Sequence, residues 1–147
     1  MDISNVIRLI VEYNCRELRI SEPNIRFVEA DAFVTPTTKA ATSRNGDGLI
    51  INYDFIESNP DAPMLWLILS HELRHIWQSK QVQYFDNYKT SAELSIEKYN
   101  EQKAEIDAWA WAIIVVDEKF GIHPTLEKQF GNEFMQKVYD RVFEIIK

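Results

Sequence analysis

The sequence predicts an α+β domain, mostly helical, with a small sheet packed on one buried helix. Three observations predict it. Apolar residues recur at helical spacing in stretches near the start, the middle and the end of the chain. Two short runs of β-branched and aromatic residues flank a turn signal. The length, 147 residues, suits a single domain over 1–147 whose core needs no disulfide staples.

The elements follow in order. Ile3, Val6, Ile7, Ile10 and Val11 recur at helical spacing among Arg8, Glu12, Arg16 and Glu17, which predicts an amphipathic helix over 2–20. Pro23 stops any continuation. Ile25, Phe27, Val28, Phe33 and Val34 suit a strand within 25–34. A polar stretch from Thr35 ends in the turn signal Asn45-Gly46-Asp47-Gly48. Leu49-Ile50-Ile51-Asn52-Tyr53 reads as a second strand, and the two are expected to pair as an antiparallel ribbon.

Asn59-Pro60-Asp61-Ala62-Pro63 reads as a helix start, because prolines are tolerated in a first turn. The helix runs through Met64-Leu65-Trp66-Leu67-Ile68-Leu69 to about Ser79. It is apolar nearly all round at its beginning, so it is the central buried helix. Residues 80–89 form a polar and aromatic connection. Thr90-Ser91-Ala92-Glu93 matches a capping box, which opens a long helix to Phe120 with Gly121 as its stop. Pro124-Thr125 opens a last helical region, in which Phe134, Val138, Val142 and Ile146 form an i, i+4 stripe.

Composition excludes several classes. The net charge of −7 argues against a nucleic-acid or anionic-membrane partner, which needs a basic face. One cysteine, Cys15, allows no internal disulfide and no cysteine-based zinc site, and it reads as a buried small hydrophobe. The acidic start lacks the basic and apolar regions of a secretory signal, and Ala108 to Val116 is too short to cross a bilayer. A soluble, cytoplasmic protein is expected.

The informative string is His71-Glu72-Leu73-Arg74-His75, an H-E-x-x-H on the buried helix. Spacing i, i+4 puts the two imidazoles about 40° apart on one face, one turn apart, where both can reach one cation. Glu72 lies about 100° round from His71, beside the cation, where a carboxylate can take a proton from an activated water. A chance H-E-x-x-H in this composition is about a one-in-two-hundred event. The plain alternative is a pair of satisfied histidines with Glu72 on a solvated edge. Burying these groups unpaired would cost a few kcal/mol, which counts against it.

Zinc needs a third protein ligand and an open position. Gln78 and Gln81 stand where the extended H-E-x-x-H-x-x-G-x-x-H pattern has its Gly and third His, so that class is rejected. His123, just past Gly121, reads as a surface or capping residue. Glu93, Glu97, Glu101 and Glu105 repeat every four residues, an arrangement that usually marks a solvated face. Glu105 differs, because Ile106, Ala108, Trp109, Ala110, Trp111 and Ala112 follow and the Glu101, Glu105, Trp109, Ile113 row passes there from polar to buried. A carboxylate at that border needs a partner, and a metal is a good one. Glu105 is the favoured third ligand and Glu101 the alternative. Asp107, on another face, reads as a supporting or ion-pair residue.

H-E-x-x-H on one helix with a Glu on the next resembles the gluzincin branch of zinc metallopeptidases. Ala104-Glu105-Ile106-Asp107-Ala108-Trp109-Ala110 resembles the E-A-[ND]-x-F-A segment of ImmA/IrrE-type metallopeptidase domains, with Ile106 for the usual Ala and Trp109 for the usual Phe. His71 to Gln78 is similar to small zincin-like proteins encoded by phages and mobile elements, with Arg74 where a Gly is common. The resemblance covers roughly residues 25–120. It implies a minimal zincin-like fold with a small sheet, an active-site helix and a ligand helix, and it implies Glu105 as a metal ligand.

The expected activity is zinc-dependent hydrolysis of a peptide bond in a protein or peptide substrate. His71, His75 and Glu105 hold Zn²⁺, which lowers the pKa of a water toward ~7. Glu72 serves as general base and then as general acid. Tyr53, Tyr84, Tyr88 and Arg74 are candidate oxyanion donors, although such aromatics more often pack. The edge of the Leu49–Tyr53 strand is a candidate dock for an extended substrate. Two other classes remain: a non-catalytic zincin-like binding or regulatory module, and a helical interaction domain without metal.

Overall fold

Asp2 opens the first helix, α1 (Ile3–Leu18), by accepting the Ser4 amide at 3.1 Å. Arg19 closes it in a left-handed conformation, φ 57°. Ile7, Ile10, Val11 and Leu18 are buried, as the apolar spacing requires. The computed structural model describes residues 2–43, 45–81, 94, 98 and 102–146.

The architecture is α+β, with one three-stranded mixed sheet beside the helices. Strands β1 (Asn24–Val28), β2 (Ala40–Thr42) and β3 (Gly48–Asn52) stand in the order β1-β3-β2. The first strand is shorter than expected. Ala30–Ala32 turn as a 3-10 helix, which leaves Phe33 and Val34 outside the sheet.

The expected antiparallel ribbon of β1 and β3 is corrected to a parallel pair, with Ile25 opposite Leu49 and Phe27 opposite Ile51. The long connection holds a strand of its own. β2 pairs antiparallel with β3 around the Asn45–Gly48 turn, so a β1 that runs against β2 lies parallel to β3. Leu49 and Ile51 are completely buried, whereas their neighbours Ile25 and Phe27 on β1 are exposed.

Gly46 fixes the hairpin against the helix that carries the motif. Its φ is +77°, and a Cβ there would stand 2.2 Å from Ser79 Oγ. Only glycine meets both demands. Tyr53 does not extend β3. It starts a short helix, α2 (Tyr53–Glu57), capped by the Asn52 side chain on the Asp54 amide at 2.9 Å.

The motif helix α3 (Ala62–Gln78) is capped by Asp61, which accepts the Met64 amide at 2.9 Å, and it carries Pro63 in its first turn. Leu65, Leu69 and Leu73 are completely buried, so this is the central helix that its composition predicts. α4 (Lys103–Phe120) packs along it and ends on Gly121 at φ 64°. The single helix expected from Thr90 to Phe120 is interrupted, because Gln102 is extended (φ −64°, ψ 144°) and α4 begins after it. The Thr90–Glu93 capping box lies outside the described residues.

α5 (Glu127–Phe130) is short, and the Tyr139 hydroxyl ties it to α6 by donating to Glu127. α6 (Asn132–Ile146) packs on α4 with Phe134, Met135 and Val138 buried, while Ile146 at the end of the expected stripe is exposed. No helix among the described residues is long and apolar enough to cross a membrane.

Candidate metal centre

One face of α3 carries His71 and His75, and their Nε2 atoms stand 3.2 Å apart. The facing side chain from α4 is Glu105. Its Oε2 is 2.6 Å from His75 Nε2, and its Oε1 is 3.3 Å from His71 Nε2. Glu105 is at the first turn of α4, where the helix N-terminus favours a negative charge. The expected convergence of His71, His75 and Glu105 is present in the fold.

Zinc bonds of ~2.0–2.1 Å place the ligands of a tetrahedron about 3.3 Å from one another. The His71–His75 and His71–Glu105 separations of 3.2 and 3.3 Å match that edge. The 2.6 Å His75–Glu105 contact is a charge-assisted hydrogen bond, with a proton in the place of a cation. The donor set of two imidazoles and one carboxylate fits zinc.

The electrostatics agree. Burial disfavours a charged His75, but Glu105, Glu72 and Gln78 outweigh it and raise the pKa to about 9. Burial also pushes Glu105 upward, yet the two histidines hold its carboxyl well below the usual carboxylate range. The centre therefore holds positive charge beside a buried carboxylate.

Glu72 sits beside this set, with Oε2 3.6 Å from His71 Nε2. It is the most open of the four, with 13% of its side chain exposed against 6% for His71 and 2% for Glu105. The Thr42 hydroxyl on β2 lies 3.1 Å from its carboxylate and 2.9 Å from its backbone carbonyl, which seats the edge of the sheet on the motif. Burial raises the pKa of Glu72, against the lowering effect of both histidines and Thr42. A raised carboxyl suits proton transfer near neutral pH.

Asp107 is fully buried and accepts Arg74 Nε at 2.7 Å, Arg74 Nη2 at 3.0 Å and Arg141 Nε at 2.8 Å. It is thus the ion-pair residue that its position suggests. Arg74 is corrected as an oxyanion donor. Its guanidinium is bound to Asp107 and lies over the Trp77 ring at 3.8 Å. Tyr53 is exposed, and the neighbouring Glu57 raises its pKa. His123 is exposed and stacks on Tyr139, outside the cluster. Tyr84, Tyr88, Glu93, Glu97 and Glu101 lie outside the described residues.

Sequence reasoning missed two contributors. Gln78, read only as a failed Gly, has its Oε1 2.7 Å from His75 Nδ1. Thr42, in a strand too short to show alternation, contacts Glu72. The i, i+3 spacing of His75 and Gln78 on a buried helix was the available signal for the first. β3 is also corrected as a docking edge. It is the central strand, with both edges filled, and β2 is the outer strand on the α3 side.

Comparison with protein-family models, curated proteins and solved structures found no match to this chain.

Proposed function

We propose that this protein is a zinc-dependent peptide-bond hydrolase of the H-E-x-x-H, gluzincin-like type. The observation that carries the reading is the meeting of His71, His75 and Glu105 within 3.3 Å of one another, with the carboxylate of Glu72 beside them. His71, His75 and Glu105 would hold the ion. When bound, zinc supplies a Lewis acid that polarises a carbonyl and brings the pKa of a water near ~7. Glu72 takes the proton of the attacking water and returns it to the leaving amine. Thr42 orients that carboxylate, and buried apolar neighbours limit water around it.

The substrate class is a protein or peptide. β2 offers outer backbone groups next to Glu72, where an extended peptide can add as a strand. The net charge of −7 speaks against nucleic acid or an anionic membrane as partner. The lone, buried Cys15 accords with a reducing, cytoplasmic setting.

The alternative is a non-catalytic zincin-like binding or regulatory module of phage or mobile-element type, and the depth of the site favours it, since His71 and His75 are each 5% exposed. Glu72→Gln separates the two readings. Hydrolysis of a quenched-fluorescent peptide library should fall by about 10²–10⁴-fold with zinc content unchanged. Turnover retained by the variant would remove Glu72 from its role.

A further inference from the structure

His71 and His75 look equivalent in the sequence, yet the fold treats their outer nitrogens differently. His71 Nδ1 is buried and finds no hydrogen-bond partner among the described residues. Its ring is instead held by stacking on Trp109, with centroids 4.0 Å apart. His75 Nδ1 meets Gln78 Oε1 at 2.7 Å.

The orientation of the Gln78 amide follows from its other end. Its Nε2 donates to the Ala104 carbonyl at 2.8 Å and to Asp107 Oδ2 at 2.8 Å. Both partners are acceptors only, so the NH₂ group must face them and the carbonyl oxygen must face His75. Asp107 is kept as an acceptor by Arg74 from α3 and Arg141 from α6. An oxygen at 2.7 Å accepts a proton from His75 Nδ1, so once a cation displaces the proton between Nε2 and Glu105, Nε2 is the nitrogen left with the lone pair. That same Nε2 is the atom that points at Glu105 and at His71 Nε2.

We propose that Gln78 is a positioning residue, which fixes His75 as the Nδ1–H tautomer and so presents Nε2 to the cation, with Asp107, Arg74 and Arg141 locking the Gln78 amide. Three helices thereby act on one ligand: α3 supplies Gln78 and Arg74, α4 supplies Asp107, and α6 supplies Arg141. The inference rests on the metal-centre reading above. Gln78 touches neither substrate nor ion and works only through His75.

The test uses wild-type protein and Gln78→Met, which keeps length and volume but removes the acceptor. Zinc affinity is measured by chelator competition. Long-range ¹H–¹⁵N spectra of the zinc-loaded proteins report which nitrogen of His75 carries the proton and which holds the metal. The expected result is a zinc Kd raised about 10–100-fold in the variant, with His75 in the Nδ1–H form in wild type and a tautomer mixture in the variant. A purely structural glutamine would lower the Tm and leave the tautomer unchanged. Wild-type affinity in the variant, or an Nε2–H ring in the wild type, would overturn the inference and leave the metal reading standing. A wild type that takes up no zinc would sink the metal reading, while a His75 Nδ1 proton bonded to Gln78 in the zinc-free spectrum still decides the hydrogen bond. If Gln78→Met does not fold, the wild-type spectrum decides alone: an Nδ1–H ring supports the inference and an Nε2–H ring overturns it.

Discussion

Asp107 is the residue on which most charge converges, since two guanidinium groups and one amide donate to a carboxylate with no exposure. Burial alone would raise its pKa, but Arg74, Gln78 and Arg141 hold it below its ordinary value of 3.8. A depressed folded pKa gives stability that is present above that ordinary value and is lost as the pH falls through the lower folded one. Asp107→Asn leaves Arg74 buried against a neutral group, at a cost on the order of 3 kcal/mol. Thermal melts of both proteins between about pH 2 and pH 5 should show the gap closing as the acid protonates the wild-type carboxyl. A constant gap across that range would contradict the assignment. Much at this scale was legible in the sequence. The His71/His75 spacing and the polar-to-apolar border at Glu105 are local patterns with a direct physical meaning. Gln78 and Arg74 were not legible, because their roles depend on Ala104 and Asp107, which α4 brings within 3.0 Å of them.

Among the elements, the hairpin and α3 depend on each other. The Gly46 turn touches Ser79 at the end of α3, and Thr42 on β2 touches Glu72 in its middle. Gly46→Ala meets both a positive φ and a contact closer than any real Cβ allows. It should destabilise the protein by more than about 1 kcal/mol, read as a lower urea midpoint with an unchanged slope. An unaltered midpoint would mean that the turn does not seat on α3. Helices were the legible elements, since α1 carries strong periodicity, α3 carries a long apolar run, and both have their own caps. The sheet was less so. Ala40–Thr42 is three residues long and shows no alternation, so β2 was invisible and the direction of β1 against β3 was inverted with it. The break at Gln102 was hidden for a similar reason, because the glutamate repeat continues across it.

On the scale of the whole molecule, α1, α3, α4 and α6 share one buried core, and the candidate metal centre lies between two of its helices. An ion that binds only the folded chain stabilises all of it. At ~100-fold over its Kd, zinc adds about 2.7 kcal/mol. For a domain of this size that is about 5–10 °C in Tm, at roughly 2–4 °C per kcal/mol. Differential scanning calorimetry with zinc and with a chelator reads the shift directly. No shift would favour the helical interaction domain without metal. Every functional step proposed for this protein depends on the three-residue centre, and elemental analysis probes that centre without needing a substrate. Wild type and Glu105→Ala are purified without a histidine tag and their metal content is measured. The expected result is about one zinc per wild-type chain and little or none in the variant. A wild type that holds no metal after zinc is offered, or a variant that holds as much as the wild type, would contradict the His71, His75 and Glu105 ligand set.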